Sequence, residues 1–417
     1  MNASTARFDA AAPAFLDDPA TEAAVRSRLA DTAVVVEVRP MADLDAFAAP
    51  LADLARRAVV ANVFFEPVVL KAALAEARHP DRVFMVLAWA DRQRAMLSGV
   101  WPIVLEPHHW GPSRPVWFTW KHDSGTRATP LIGPGAGPAV WAAMLDAIAA
   151  TGRARHLVLP TMMDLSGLLS DITHAADATR RRLCLLERHP HIVLGAISDG
   201  EAHLKSAMSA RRRKRMVKNR DDLAALGRLE ARVYERPGDV MVAFRRFVEL
   251  EGAGWKGRRK GAILTKPDAL RFFLRTVCDL AEAGQVRIDS LELDGAPLAM
   301  SIVTRSGNAA FCWKTTYDEA YARFSPGMLV VMDVTRGIAA DPGMAFADSC
   351  TDAGHPLMAH LWPETADSVD LLVDLKPGAS AAAFAAARAT ELGRRRARAA
   401  LKKAYHAIRD RAEPLRG

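Results

Sequence analysis

Three carboxylates lie where predicted helices or strands give way to loops, and each is a candidate proton acceptor: Glu251, Asp318 and Asp348. Glu251 ends a predicted helix and precedes Gly252-Ala-Gly-Trp255-Lys256-Gly257. The dipole at that helix end disfavours negative charge, which suits Glu251 to take up a proton. A solvated last-turn glutamate is the plainer alternative. Lys256 is a candidate catalytic cation, and Trp255 lines an acceptor channel or serves as a packing anchor. Lys314 and Tyr317 end a predicted strand as candidate substrate contacts. Asp318 follows them as a base candidate or a turn cap. Asp348 ends the next predicted strand, and strand ends border ligand clefts in open α/β sheets. Cys350 and His355 lie close by; they suit a nucleophile pair, or a buried thiol beside a surface imidazole.

The segment Tyr321-Ala-Arg-Phe-Ser-Pro-Gly-Met328 follows a predicted strand and opens a helix. Free N–H groups and the positive dipole end make such a helix start a phosphate site. Arg323 adds a cation, Ser325 a hydroxyl, and Gly327 lacks the Cβ that would block close approach. Arg323, Phe324, Ser325, Gly327 and Met328 are the candidate cofactor contacts, for a ligand carrying a pyrophosphate. The same residues also make an ordinary capped helix. A second basic feature is Arg211-Arg-Arg-Lys-Arg215 with Lys218 and Arg220, on a predicted helix. It reads as a solvated face, or as a contact to cofactor or tRNA phosphates.

The elements that must position these residues repeat in two halves. In the first, residues 34–38, 83–89, 96–105, 116–120 and 156–159 read as strands. Residues 41–58, 68–78 and 139–150 read as helices, the last after Gly133-Pro-Gly-Ala-Gly137. That loop suits phosphate or a flexible turn. In the second, Ser198-Asp-Gly-Glu201 has capping-box spacing and predicts a helix of about 20 residues. Val240, Phe244, Phe247 and Val248 form an amphipathic stripe over 239–251. Thr265-Lys-Pro-Asp268 predicts the cap of a third helix. Strands follow at 286–293, 297–304 and 309–315, the first two joined by an Asp294-Gly295 hairpin turn. A helix over 328–340, a strand at 346–349, a short helix at 355–361 and a strand at 369–375 complete the half. An Ala/Arg-rich helix over 380–410 follows. The fold class is α/β with mixed sheets. The expected divisions are a flexible extension at 1–31, a first domain at 32–190, a second at 191–378 and a helical tail at 379–417.

Several segments in order resemble the GNAT superfamily, in particular the CelD/BcsL-like acetyltransferases. They are Phe247-Val-Glu-Leu-Glu-Gly-Ala-Gly-Trp-Lys-Gly257, Leu291-Glu-Leu-Asp-Gly-Ala-Pro-Leu-Ala299, Trp313-Lys-Thr-Thr-Tyr-Asp-Glu319, the 321–327 loop and Asp348-Ser-Cys350. They cover residues 240–355, and Asn62-Val-Phe-Phe-Glu-Pro67 with the basic stretch after Ser206 extends the match to both halves. The resemblance implies tandem GNAT-like domains, with acyl-CoA (acetyl-CoA) as co-substrate and an amine or hydroxyl acceptor. It also implies a splayed strand at 309–315 beside the thioester. A polysaccharide or envelope precursor is one acceptor it allows. Pro326 falls where the family's pyrophosphate loop carries its first glycine, a departure that weakens individual backbone contacts. The tandem arrangement also resembles the Fem aminoacyltransferases, which take the acyl group from tRNA. A non-catalytic polyanion-binding module is the third reading.

Composition agrees with two sizeable cores: 417 residues, 50% hydrophobic and 25% charged, with net charge +8. The positive balance favours anionic partners. Four scattered cysteines have neither disulfide-framework nor zinc-ligand spacing, so no metal is expected. The acidic N-terminal residues lack signal-peptide character, and the expected location is the cytoplasm.

Overall fold

The computed structural model describes residues 34–412, with side chains up to 404. The extension expected at 1–31 lies outside the described residues. Thirteen strands form one mixed sheet: β1 (Val35–Pro40), β2 (Val83–Trp89), β3 (Leu97–Glu106), β4 (Val116–Thr119), β5 (Leu131–Ile132), β6 (His156–Met163), β7 (Arg182–Gly195), β8 (Leu229–Tyr234), β9 (Val286–Leu293), β10 (Ala296–Ser306), β11 (Ala309–Tyr317), β12 (Phe346–Asp352) and β13 (Glu364–Asp374). The helices are α1 (Ala48–Arg57), α2 (Pro67–Ala75), α3 (Gly137–Ala150), α4 (Leu168–Ala178), α5 (Gly200–Ala207), α6 (Ala210–Ala224), α7 (Pro237–Ala253), α8 (Trp255–Arg258), α9 (Pro267–Glu282), α10 (Pro326–Ala339) and α11 (Ala381–Ala412). None is long and apolar enough to cross a membrane.

With β5 paired to β3 off the main path, the strand order β1-β2-β3-β4-β6-β13-β7-β12-β11-β10-β9-β8 reads symmetrically outward from its centre. Each side has one parallel pair, β4 with β6 and β11 with β12; the other pairings are antiparallel. This order explains the repeat seen in the sequence. The two halves also exchange strands at the centre. β13, from the end of the chain's second half, pairs with β6 and β7, while the far end of β7 pairs with β12. The expected joint near 190 therefore lies inside a 14-residue strand rather than in a linker.

Both sheet faces are covered, which is why β2 is buried at every position. One core runs under α1, α2, α7 and α9 and spans both halves. The opposite face is covered by α3 and α4 on one side and by α5, α6 and α10 on the other. Residues 62–66 of Asn62-Val-Phe-Phe-Glu-Pro67 are buried in the shared core. Asn62 donates to Thr129 O at 2.9 Å, and Phe64 packs edge-on against Phe311 and Trp313. Buried Glu66 accepts from Ser306 Oγ at 2.6 Å.

Several local expectations change. Asp199, not Ser198, caps α5, accepting from Glu201 N and Ala202 N. The single long helix expected there breaks at Met208, and Ser209 caps a new helix, α6. Lys266 occupies the cap position of α9, where no side chain bonds, because the Thr265 hydroxyl turns back to Ala262 O. β7, β8 and α4 were not expected from the sequence. The Asp294-Gly295 turn forms as expected, with φ of 50° and 82°.

Candidate active site

β11 pairs with β12 only through Ala309, Ala310 and Phe311; beyond Phe311 and Asp348 the two strands part. Residues 312–317 therefore present an edge with no strand partner on the β12 side. On its other side β11 stays paired with β10, with a bulge opposite Ile302–Val303 that absorbs Trp313. The bulge resets the alternation. As a result Trp313 and Lys314 both meet Phe273: the rings are 4.5 Å apart, and Lys314 Nζ lies 5.3 Å from the Phe273 centroid.

Glu251, Lys256 and Lys314 converge on this face. Glu251 is 1% exposed; its Oε1 lies 3.2 Å from Lys256 Nζ and 3.7 Å from Lys314 Nζ. Its Oε2 accepts from Ile263 N at 2.8 Å. Two ammonium groups thus answer the one carboxylate, a feature the helix-end reading did not contain. Burial lowers the Lys314 pKa, against the opposing pull of Glu251. Lys256 also donates to Thr315 O at 3.2 Å. The turn carrying Lys256 depends on Gly257, where a Cβ would lie 1.7 Å from Gly252 O.

Trp255 is 47% exposed, and its backbone N–H donates to Glu319 Oε1 at 2.7 Å. Arg258 holds the same carboxylate at 2.5 Å, tying α8 to the turn after β11. Asp318 caps that turn by accepting from Ala320 N at 2.9 Å. Tyr317 packs towards Gly327, whose Cβ position lies 3.2 Å from the Tyr317 ring. His355 accepts from Met358 N through Nδ1 at 3.3 Å; partial desolvation and the Lys256 charge lower its pKa.

At the start of α10, Ser325 adopts a left-handed conformation and makes no side-chain cap bond. Pro326 has no N–H, and the Met328 and Leu329 N–H groups both donate to Ser325 O. The Gly327 N–H is the one of these not engaged with Ser325 O; Gly327 and Met328 are both buried. Arg323 is exposed, stacks 4.6 Å over Phe324 and forms no ion pair among the described residues. A phosphate here would rest on Arg323 and one N–H more than on a full ring of backbone donors.

Asp348 is held from the first half. Its Oδ1 accepts from Arg127 Nη2 at 2.6 Å and from Cys350 N at 2.7 Å. Burial pushes the Cys350 and Cys312 thiols up, so neither is prepared as a nucleophile. The same first-half loop stacks His122 on Phe272 at 3.7 Å and accepts the Trp313 indole N–H at Ser124 O, 2.9 Å. Sequence reading missed Arg127, His122 and Ser124. The available signal was Lys121-His-Asp-Ser-Gly-Thr-Arg127, a charged run between apolar stretches.

Other groupings lie apart from this cleft. A hollow of about 310 Å³ lies at the far end of β9–β11, lined by Arg287, Arg305 and Gly337. Ligand atoms of Glu187, His189 and Asp370 come within 4.8 Å of one another. Arg395 donates to Asp370 and lies 3.5 Å from Glu187, so a guanidinium already stands where a cation would.

Residues 210–355 match the acetyltransferase (GNAT) domain family. No curated protein matches the chain. The crystal structure of FemX superposes with a TM-score of 0.51 at 11% identity, over 78% of this chain and 95% of that one. A conserved protein of unknown function from Bacteroides thetaiotaomicron gives 0.50 at 11%, over 82% and 100%. These two likenesses are of fold. Over 210–355 the chain carries an acetyltransferase (GNAT) domain, and it is an acyltransferase.

Proposed function

We propose that this chain transfers an acetyl or other acyl group from acyl-CoA to an amine or hydroxyl acceptor. A cytoplasmic step in polysaccharide or envelope biosynthesis fits that activity. The observation that carries the reading is the parting of β11 from β12 beyond Phe311 and Asp348, with α10 opening after β11. The residues present fit the donor. Arg323 and the Gly327 N–H would hold the diphosphate beside Phe324, Ser325 and Met328. The open 312–317 edge offers backbone groups to the amide arm. When bound, acyl-CoA supplies the activated acyl carbon.

The chain's own task is to bring the acceptor in and take its proton. Trp255 and Tyr317 border the approach. The Glu251–Lys256–Lys314 cluster receives the proton. A lowered pKa gives Lys314 more of the neutral amine able to accept it, and Glu251 stabilises the ammonium that forms. Asp348, fixed by Arg127, sets the β12 side of the opening, and Asp318 holds the turn that leads to Arg323.

A Fem-like transfer from aminoacyl-tRNA is the second reading, favoured by the fold likeness to FemX over most of the chain. Calorimetric titration of wild type and Arg323→Ala with CoA and with pantetheine tests the first. A charge-assisted hydrogen bond contributes about 1.5–3 kcal/mol, so CoA affinity should fall about ten- to hundredfold while pantetheine affinity stays constant. Wild-type protein that ignores CoA but binds aminoacyl-tRNA tightly would favour the second.

A further inference from the structure

The basic run on α6 divides into cations that are used and cations that are free. Arg213 donates to Lys205 O and Met208 O and so closes α5. Lys218 pairs with Asp222, and Arg220 binds both Asp333 oxygens at 2.7 Å. Arg211, Lys214, Arg212 and Arg215 form no ion pair with any described residue, and of these Arg212 and Arg215 act on the neighbouring His360. They share a stripe with Asn219, being seven and four residues before it on a 3.6-residue helix.

That stripe is anchored at the donor loop. Asn219, 8% exposed, donates to Phe324 O at 2.9 Å. Arg215 and Arg212 then lie about 6 and 10 Å further along the axis. They run towards the turn Met358–His360, which α5 holds through His203 and Leu361 O at 2.8 Å. That turn returns to the start of α10, where Leu357 lies 3.5 Å from the Gly327 Cβ position. Desolvation and the charges of Arg212 and Arg215 lower the His360 pKa, which places both guanidiniums near that imidazole. Two arginines with no ion pair among the described residues therefore lie on the helix face that leads from the loop carrying Arg323 to this turn. The match to the acetyltransferase domain begins at Ala210, the first residue of this helix.

We propose that Arg212 and Arg215 bind the 3′-phosphate of the donor's adenosine end, one phosphate beyond the diphosphate assigned to Arg323. This rests on the acyl-CoA reading above. A 3′-phosphate is a compact dianion attached several ångströms from the diphosphate, within reach of two long side chains on a neighbouring helix. A small-molecule phosphate is favoured over an RNA backbone because the free cations of this stripe are gathered at one end of the loop rather than strung along a groove.

The test is calorimetric titration of the full chain and of Arg212→Gln/Arg215→Gln with CoA, 3′-dephospho-CoA and unacylated tRNA, with thermal melts of both proteins. In wild type, removing the 3′-phosphate should weaken binding at least tenfold. The double variant should bind CoA about as weakly as wild type binds dephospho-CoA, and should make no further distinction between the two. Its melting temperature should stay within a few degrees of wild type, because neither arginine forms an ion pair with a described residue. A folded double variant that binds CoA normally, or loses equal affinity for both nucleotides, would overturn the assignment while leaving the acyl-CoA reading intact. Wild type that binds neither nucleotide would instead remove that reading. Tight tRNA binding lost in the double variant, with CoA unchanged, would assign the stripe to RNA and overturn the proposal. Arg212→Lys/Arg215→Lys should recover part of the CoA preference, as point charges without the guanidinium fork.

Discussion

Replacing Asp348 by asparagine tests whether the first half holds the active-site opening in place. Arg127 Nη2 and Asp348 Oδ1 are 2.6 Å apart, and both side chains are at most 2% exposed. At an effective dielectric of about 20 their attraction is about 6 kcal/mol, most of it offset by the desolvation of two ions. The loss on breaking the pair is a different quantity. A neutral amide could still accept from Nη2 through its Oδ1, but it would leave the buried guanidinium without a countercharge; the other contact is Thr126 O, 3.1 Å from Nη1, and Nε already has no partner. Breaking a buried pair on one side costs about 3–5 kcal/mol. Asp348→Asn should therefore lower the urea-unfolding free energy by at least about 3 kcal/mol, and Arg127→Met similarly. The double variant Arg127→Met/Asp348→Leu removes both charges and should recover at least half of that loss. An Asp348→Asn protein within about 1 kcal/mol of wild type would refute the argument. So would a double variant whose loss is the sum of the two single losses.

Asp289 gives a pH signature: burial raises its pKa to about 6, against the pull of Arg287. A raised folded-state pKa means the folded chain holds the proton longer, so the contribution of this group to stability is full below about pH 4 and is lost as pH rises to about 6. Relative to Asp289→Asn, wild type should lose about 3 kcal/mol across that window in urea unfolding; parallel curves would contradict it. Gly257→Ala should abolish turnover and lower the melting temperature, because its Cβ would strike Gly252 O, whereas at Gly254 the nearest atom is 3.6 Å away. Equal activity in the two alanine variants would show that the Lys256 turn adapts.

Legibility of the fold tracks the range of the forces that set each element. The Asp294-Gly295 hairpin and the α7 stripe are fixed by neighbours a few residues apart, and both were readable. β7 was not, because its residues alternate irregularly between exposed and half-buried until Pro190 and are buried only from His191; its partner β13 lies more than 170 residues away. The α5–α6 break turns on whether Arg213 can close α5 by bonding its last carbonyls, a choice a capping pattern does not state. At the site, sequence spacing placed Glu251, Lys256 and Lys314 near ligand chemistry but did not reveal that they meet. That meeting depends on the Trp313 bulge, which turns Lys314 to the α7 side. Arg127 was invisible for the same reason: its meaning lies in Asp348, 221 residues on.

The strand exchange links these long-range features. If each half closed its own sheet, β7 would stay beside β6 and β13 beside β12. Instead the last strand of each half is shared, with β13 pairing along nearly the whole of β7. The exchange fixes the loop after β4 relative to β12, and that loop supplies Arg127 to Asp348 and Ser124 to Trp313. The opening between β11 and β12 thus has one wall from each half. A GNAT domain cut out at 210–355 would lose β7, β13 and that wall together. The first half is therefore part of the second half's site, whether or not it binds a donor of its own.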